Sequence, residues 1–144
     1  MAKESAFKFS DPELLSLNFK KNEEFKKDKE NKPEKIQIKA TVEEFPGSRK
    51  KFYLSLQVII DNDGPYIINL VMRSLFDTTD VTDSSQINNF LKVNAPALIF
   101  SYIRPFLAYL TSQSGNGTLH LPFYNFLDSD KQLNISHNTG SDPE

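Results

Sequence analysis

The chain has 144 residues, the size of one ordinary domain, and its 38% hydrophobic and 25% charged residues provide enough apolar material for a buried core. The 17 Lys and Arg against 19 Asp and Glu give a formal net charge of −2, which argues against a nucleic-acid partner because phosphate neutralisation needs a basic surplus. Cysteine is absent, which excludes disulfides, thiolate metal sites and thiol catalysis.

Two further properties bear on location. No apolar run reaches the ~18 residues that a membrane span requires, so we expect no membrane insertion. Residues 1–5 are polar and lead into no apolar segment of the kind found in secretory signals. We therefore expect a cytoplasmic protein.

Two segments with strand-like alternation flank a charged block near the N-terminus. The first alternates Leu15, Leu17 and Phe19 with polar residues, and the second covers residues 36–43. Between them, residues 20–35 contain seven Lys and five acidic residues. This composition favours a solvated connection between two strands; the alternative is a local basic patch for an acidic partner.

A second pair of strands follows around a turn sequence. Residues 51–61 show the clearest alternation of the chain, with Phe52, Leu54, Leu56, Val58 and Ile60 on one face, and residues 66–76 are apolar on both faces. The intervening Asp61-Asn62-Asp63-Gly64 is rich in residues that tolerate positive φ, as a tight hairpin requires. We expect the strand over residues 66–76 to be central in the sheet.

Residues 86–113 change to helical spacing. Ser84 or Ser85 is placed to cap this helix, and Pro96 predicts a short piece, a break and then a long piece. Pro105 predicts a kink within the long piece. The helix carries aromatic side chains on more faces than one sheet can cover, which favours oligomerisation; these are Phe90, Phe100, Tyr102, Phe106 and Tyr109.

The C-terminal region is less regular. Residues 119–123 form a short extended segment, and Leu127–Ile135 fits a weak, short helix before a disordered polar tail. The predicted fold is therefore α+β: a four-stranded antiparallel sheet, one long kinked helix and a short C-terminal helix. We place one domain over residues 1–127 and the weak helix and tail over residues 128–144.

Catalytic patterns are lacking. His120 and His137 are the two imidazoles, no G-x-S-x-G sequence occurs, and the aspartates near residues 61–80 match no calcium-loop spacing. We therefore predict no catalytic, cofactor-binding or metal-binding residue, and no enzyme. Arg104, within the aromatic helix, is placed either for an ion pair or hydrogen bond across an oligomer interface or for a functional contact.

The sequence from Asn94 to Gly115 and from Leu119 to Phe126 resembles the SecB family of export chaperones. That family has a P-x-x-L/I-F-x-Y-x-R helix, a glycine-containing turn and an L-x-L-x-P-x-N-F segment. The matching residues are Pro96, Leu98, Ile99, Phe100, Tyr102 and Arg104 in the helix, and Leu119, Leu121, Asn125 and Phe126 after it. The upstream order of four strands, with a charged connection after the first, is also similar, so the resemblance spans residues 7–127.

The resemblance implies a homotetramer built as a dimer of dimers, which holds unfolded polypeptides without ATP and uses no cofactor. Exposed apolar grooves would bind the non-native chains. Groove positions implied by the family are Ile36, Ile38, Ala40, Val42, Phe126 and Leu127. For each of them, a place in the ordinary core is an equal alternative. Oligomer-interface candidates are Tyr102, Arg104, Phe106 and Tyr109.

The sequence also departs from the family pattern. Ser101 and Phe123 stand where the family often has proline, Pro105 is unusual, and the last helix is short. The positions aligned with the acidic surface that contacts the SecA motor are Ser16, Lys20 and Asn69, none of which is acidic. Engagement of SecA is thus in doubt, whereas guarding the antitoxin of a toxin–antitoxin pair, as some SecB-like chaperones do, is unaffected.

Three hypotheses follow. The leading one is a SecB-like holdase for preproteins or for a dedicated client, such as an antitoxin. The second is an oligomeric scaffold of the same fold with no affinity for unfolded chains. The third, a small-molecule-binding or enzymatic domain, is disfavoured because histidine, cysteine and clustered carboxylates are scarce.

Overall fold

One sheet and one long helix make up most of the computed structural model, which describes residues 7–23, 25, 36–61 and 64–126 and the backbone of residues 133–138. The strands are β1 (Lys8–Phe9), β2 (Glu13–Lys21), β3 (Ile36–Glu44), β4 (Lys51–Asp61), β5 (Tyr66–Asp77) and β6 (Leu133–Asn138). The helices are α1 (Ser84–Asn89) and α2 (Ala95–Ser112), joined by a π-helical turn over Phe90–Asn94.

Within this described part, the six strands form a single sheet in the order β1-β5-β4-β3-β6, with β2 also paired to β5. The four predicted strands correspond to β2, β3, β4 and β5, and their pairs are antiparallel. As expected, β5 lies inside the sheet, between β4 and β2. Lys20 and Lys21 of the predicted charged connection belong to β2, and residues 24 and 26–35 of it lie outside the described residues.

One face of the sheet carries the core. Alternate side chains of β3, β4 and β5 are buried on this face, as a period of two requires. Helix α2 contacts β4 and β5 there. The π-helical turn before α2 is held by aromatic rings, since Phe90 stacks on Phe7 with ring centroids 3.9 Å apart and meets the edge of Phe76 at 5.6 Å. None of the helices in the described part combines the length and the apolar character of a membrane span.

The predicted break before Pro96 is wrong, because the chain remains helical from Ser84 to Ser112. The π-helical turn takes the place of the break, and the N–H of Ala95 donates to the carbonyl oxygen of Phe90, five residues back. Proline has no N–H and crowds the preceding turn, so a wider turn accommodates it without ending the helix. Pro105 lies inside α2.

The helix start also differs from expectation. Asp83, not Ser84 or Ser85, is the N-cap, and its carboxylate accepts hydrogen bonds from the hydroxyl of Ser85 (2.8 Å) and the backbone N–H of Ser85 (2.9 Å). The hydroxyl first, and then the amide, lower the pKa of Asp83 below its ordinary value.

The predicted C-terminal helix is wrong where the structure describes it. Residues 133–138 form β6, which runs parallel to β3. Leu133 and Ile135 alternate with Asn134 and Ser136, a period of two that fits a strand, and the outer edge of β3 supplies the backbone partners. Residues 136–138, which were expected to belong to the disordered tail, are part of β6. Residues 127–132 and 139–144 lie outside the described residues, so the domain boundary and the rest of the tail remain predictions.

Candidate functional site

Strand β3 contributes three of the predicted groove residues, and all three belong to the core. Ile38, Ala40 and Val42 are 2%, 1% and 3% exposed. They lie opposite Val58, Leu56 and Leu54 of β4, and all six belong to one apolar cluster. Ile36, at the start of the strand, is half-buried. In this single chain the β3 side chains therefore pack inward rather than line an open groove.

A segment after the long helix, residues 119–126, turns back along α2; we call it the return segment. Its backbone N–H at Leu119 donates to the Thr111 hydroxyl (2.8 Å), and its carbonyl oxygen at Leu121 accepts from Arg104 Nε (2.9 Å). Phe126 then meets the edge of the Phe100 ring at 5.9 Å. The order of these contacts, 111, 104 and 100, shows that the segment runs antiparallel to the helix.

The return segment is buried at two positions and exposed at another. Leu121 and Phe126 are 2% and 6% exposed, so Phe126 is also a core residue in this chain. Phe123 is 84% exposed, and the Arg104 guanidinium carbon lies 3.7 Å from the centroid of its ring. This cation–π contact holds the ring at the surface. Leu127, the remaining groove candidate, lies outside the described residues.

Arg104 has its partners within the chain. Besides Phe123 and Leu121, it borders a shallow depression of about 200 Å³, which is also lined by Pro105, Ala108 and His120. The guanidinium thus links the helix to the return segment. The sequence predicts a contact across an interface instead, and that prediction is not tested by these intrachain contacts.

The opposite flank of α2 carries the aromatic residues predicted to form an interface. At about 100° per residue, Tyr102, Phe106 and Tyr109 share one flank, and Arg104 lies on the other. Tyr102 and Tyr109 are 42% and 70% exposed, whereas Phe106 is half-buried against the core. We call Tyr102, Phe106 and Tyr109 the tyrosine flank.

Strand β2 adds apolar surface on the same side of the sheet as α2. Leu14 and Leu17 lie opposite Met72 and Leu70, whose side chains are buried on the helix side. Neighbours on paired strands share a face, yet Leu14 and Leu17 are 44% and 36% exposed. The register of β2 shifts between Leu14 and Ser16, which marks a bulge. The β2 edge and the tyrosine flank are therefore both exposed on the helix side.

The outer edge of β3 is occupied. Strand β6 pairs with it in parallel, from Ile38 opposite Leu133 to Glu43 opposite Asn138. The chain's own C-terminal strand thus covers six of the nine residues of the strand that the sequence assigns to the groove. Sequence reasoning missed β6, because the alternation in Leu133-Asn-Ile-Ser covers only four residues and is a weak signal of a strand.

The positions aligned with the family's SecA contact come together on the other face of the sheet. Asn69 of β5 lies opposite Asn18 of β2. Ser16 and Lys20 lie opposite Val71 and Ile67, the residues two positions to either side of Asn69, so all three positions share one face. Asn69 accepts a hydrogen bond from Gln57 (2.9 Å). The carboxylate of Glu13, on this face, is paired with Arg73 at 2.6 Å. Ser16, Asn18, Lys20 and Asn69 thus contribute hydroxyl, amide and ammonium groups to this surface, their neighbours Val71 and Ile67 are apolar, and the carboxylate of Glu13 is ion-paired.

Comparison with known proteins gives a family. The family described as "Preprotein translocase subunit SecB" matches residues 14–131. Comparison with curated protein sequences gave no match.

Two solved structures show a similar fold. One is the SecB-like chaperone Rv1957 of Mycobacterium tuberculosis, in complex with a ChAD peptide from the Rv1956 HigA1 antitoxin; its TM-score is 0.64 at 16% identity, over 82% of this chain and 90% of that one. The other is a protein of unknown function from Streptococcus agalactiae, with a TM-score of 0.51 at 11% identity, over 81% of this chain and 97% of that one. Since the family match covers most of the chain, this protein belongs to the SecB family, and it is a chaperone rather than an enzyme.

Proposed function

We propose that this chaperone is an ATP-independent holdase, which assembles as a dimer of dimers in the cytoplasm and binds unfolded polypeptides along β3 and the return segment. The observation that carries the proposal is the amount of large apolar surface left exposed on the helix side. Tyr109 and Phe123 alone are 70% and 84% exposed. On the tyrosine flank Tyr109 lies beside Tyr102, which is 42% exposed, and large exposed apolar patches mark interaction surfaces.

The exposed surface divides into two zones with different partners. The tyrosine flank and the β2 edge are the zone for self-association, because an unpaired strand edge and an aromatic stripe are both satisfied by a second copy. The return segment, with Phe123 at its surface, borders the client zone. This division puts Arg104 with the client zone rather than with Tyr102, Phe106 and Tyr109.

Client binding needs few strong contacts. Burying each apolar side chain of a client contributes roughly 1.5–3 kcal/mol, and several such anchors, less the cost of ordering the chain, correspond to affinities of about micromolar. Folded proteins hide those side chains, so such a surface selects non-native chains. The proposed lining of the groove remains Ile36, Ile38, Ala40, Val42, Phe126 and Leu127. Four of these, Ile38, Ala40, Val42 and Phe126, are buried in the single chain, so a client reaches them only when the segments packed over them move.

The experiment is suppression of aggregation. Chemically denatured citrate synthase is diluted into buffer with an equimolar amount of assembled chaperone, and light scattering is followed. We expect wild type to suppress scattering and Phe123→Ser to suppress it less. Phe9→Ser is the matched control, since Phe9 is an exposed aromatic (41%) in β1, at the far edge of the sheet from β3. Scattering unchanged by wild type would leave the oligomeric scaffold as the function.

A second candidate is a dedicated antitoxin chaperone. The similar Rv1957 structure holds an antitoxin peptide, and Ser16, Lys20 and Asn69, at the positions aligned with the SecA-contact surface, are not acidic. A toxin–antitoxin pair encoded beside this gene, together with protection of that antitoxin from aggregation by the purified chaperone, would select this candidate. Protection of exported precursors but not of the antitoxin would select general export.

A further inference from the structure

The one parallel pair in the described part of the sheet joins β6 to β3. All other pairs there are antiparallel, and parallel pairs are slightly less stable per residue. β6 is six residues long and lies at the sheet edge, so no other strand among the described residues supports its outer side. Its sequence, Leu-Asn-Ile-Ser-His-Asn, has a single β-branched residue and two asparagines, which are depleted in strands. We therefore expect β6 to open far more easily than the rest of the sheet.

Opening β6 would expose a binding edge. The outer N–H and C=O groups of β3 would lose their partners over residues 38–43, and an unpaired strand edge is a template for any extended peptide. Backbone hydrogen bonds do not depend on the identity of the side chains, so such an edge accepts chains of unrelated sequence. An unfolded polypeptide is extended and has unpaired backbone groups, which makes it the occupant that this edge fits.

We propose that the outer edge of β3 binds an extended segment of the client by strand addition, and that β6 is a built-in competitor that holds this edge in the free protein. The inference rests on the proposed holdase function and names how its site is regulated. β6 follows the return segment after residues 127–132, so it competes at the high effective concentration of a tethered segment. A client displaces it without ATP when its backbone contacts and apolar anchors together outweigh the tethered strand.

The competitor sets the apparent affinity. When the binding-competent form is a fraction of the population, the apparent Kd is the intrinsic Kd divided by that fraction. Loss of a single weak edge strand should then lower the apparent Kd for a client by about 10-fold, and locking the strand in place should raise it by at least as much. Opposite responses to release and locking are expected only for a competitor at the site.

Two full-length variants test this. Ile135→Pro with Ser136→Pro releases β6: of two adjacent residues in an edge strand, one directs its N–H to the neighbouring strand, and proline removes it. Thr41→Cys with Ser136→Cys locks β6, because these residues are register partners and no natural cysteine interferes. Ile135→Val with Ser136→Thr is the control for the release, since it keeps strand propensity.

The probe is fluorescein-labelled, reduced and carboxymethylated α-lactalbumin, a permanently unfolded chain, and binding is measured by fluorescence anisotropy. We expect the proline variant to bind more tightly, the oxidised cysteine variant more weakly, and the reduced cysteine variant and the control like wild type. Amide hydrogen exchange of residues 133–138 should accelerate when client saturates wild type, while β4 stays protected.

Equal binding by wild type, released and oxidised variants would overturn the inference and leave the holdase function standing. Binding by the released variant alone would support it, with β6 closing the site fully. Absence of binding by every variant would reject both the inference and the holdase function. If circular dichroism shows that the proline variant fails to fold, the oxidised and reduced cysteine variant decides the matter by itself.

Discussion

The hydroxyl of Tyr66, the first residue of β5, lies 3.3 Å from the carbonyl oxygen of Thr111 in the last turn of α2. It also bonds the carbonyl oxygen of Gly117, in the turn that follows. The Thr111 hydroxyl in turn receives the N–H of Leu119. One buried tyrosine therefore fixes where the helix ends and where the return segment begins.

Removing that hydroxyl should destabilise the fold. Tyr66→Phe keeps the buried ring, which lies 5.6 Å from Phe19, but leaves carbonyl groups near it without this donor. We expect a loss of about 1–2 kcal/mol in the free energy of unfolding, measured by urea denaturation. Tyr53→Phe, on the other face of the sheet, is the control and should cost less than about 0.5 kcal/mol. Equal costs would show that the hydroxyl does not pin the helix end.

A substitution at Ile38 tests whether this residue belongs to the core or lines an open groove. Its side chain is 2% exposed, so Ile38→Ala should leave a cavity and cost about 2–4 kcal/mol of unfolding free energy. Ile36→Ala, at a half-buried position of the same strand, should cost clearly less. A small loss at Ile38 accompanied by weakened client binding would contradict the core assignment and make Ile38 part of an open groove.

A substitution at Tyr109 tests the proposed zone for self-association. Tyr109→Glu places a charge on the tyrosine flank, and a carboxylate buried in an apolar interface without a partner is strongly unfavourable. We expect the mass measured by size-exclusion chromatography with light scattering to fall from that of a tetramer to that of a smaller species. Ser101→Glu, exposed elsewhere on α2, should leave the mass unchanged. A tetramer that persists in Tyr109→Glu would move the interface away from this flank.

The sequence predicted the elements whose hydrophobic period is strong. The alternation of β3 and β4 predicted both strands and the buried face, because one side of each strand belongs to the apolar core. The surplus of aromatic residues on the helix was likewise visible, and the structure leaves Tyr102 and Tyr109 exposed.

Other features depended on tertiary context. β6 is short and four of its six residues are polar, so its state is decided by the free edge of β3 rather than by its own propensity. Pro96 signals a helix break in isolation, yet packing of the residues around it keeps the helix continuous through a wider turn. Burial of Phe126 follows from the return segment lying along α2, and no local pattern separates such a core position from a groove position.

The helix cap gives a prediction in pH. Hydrogen bonds from Ser85 lower the pKa of Asp83 in the folded protein below its unfolded value of 3.8. The ionised carboxylate therefore stabilises the fold at pH values above 3.8. This stability is lost as the pH falls through the lower pKa of the folded state. Asp83→Asn keeps an acceptor but does not titrate. The difference in unfolding free energy between wild type and Asp83→Asn should therefore be constant above about pH 5 and should shift against wild type below about pH 4. Ser85→Ala removes the hydroxyl, the largest cause of the lowered pKa, and should reduce this pH dependence, while the backbone N–H of Ser85 still lowers the pKa. A difference that stays flat down to pH values of about 2–3 would show that Asp83 does not cap the helix in solution.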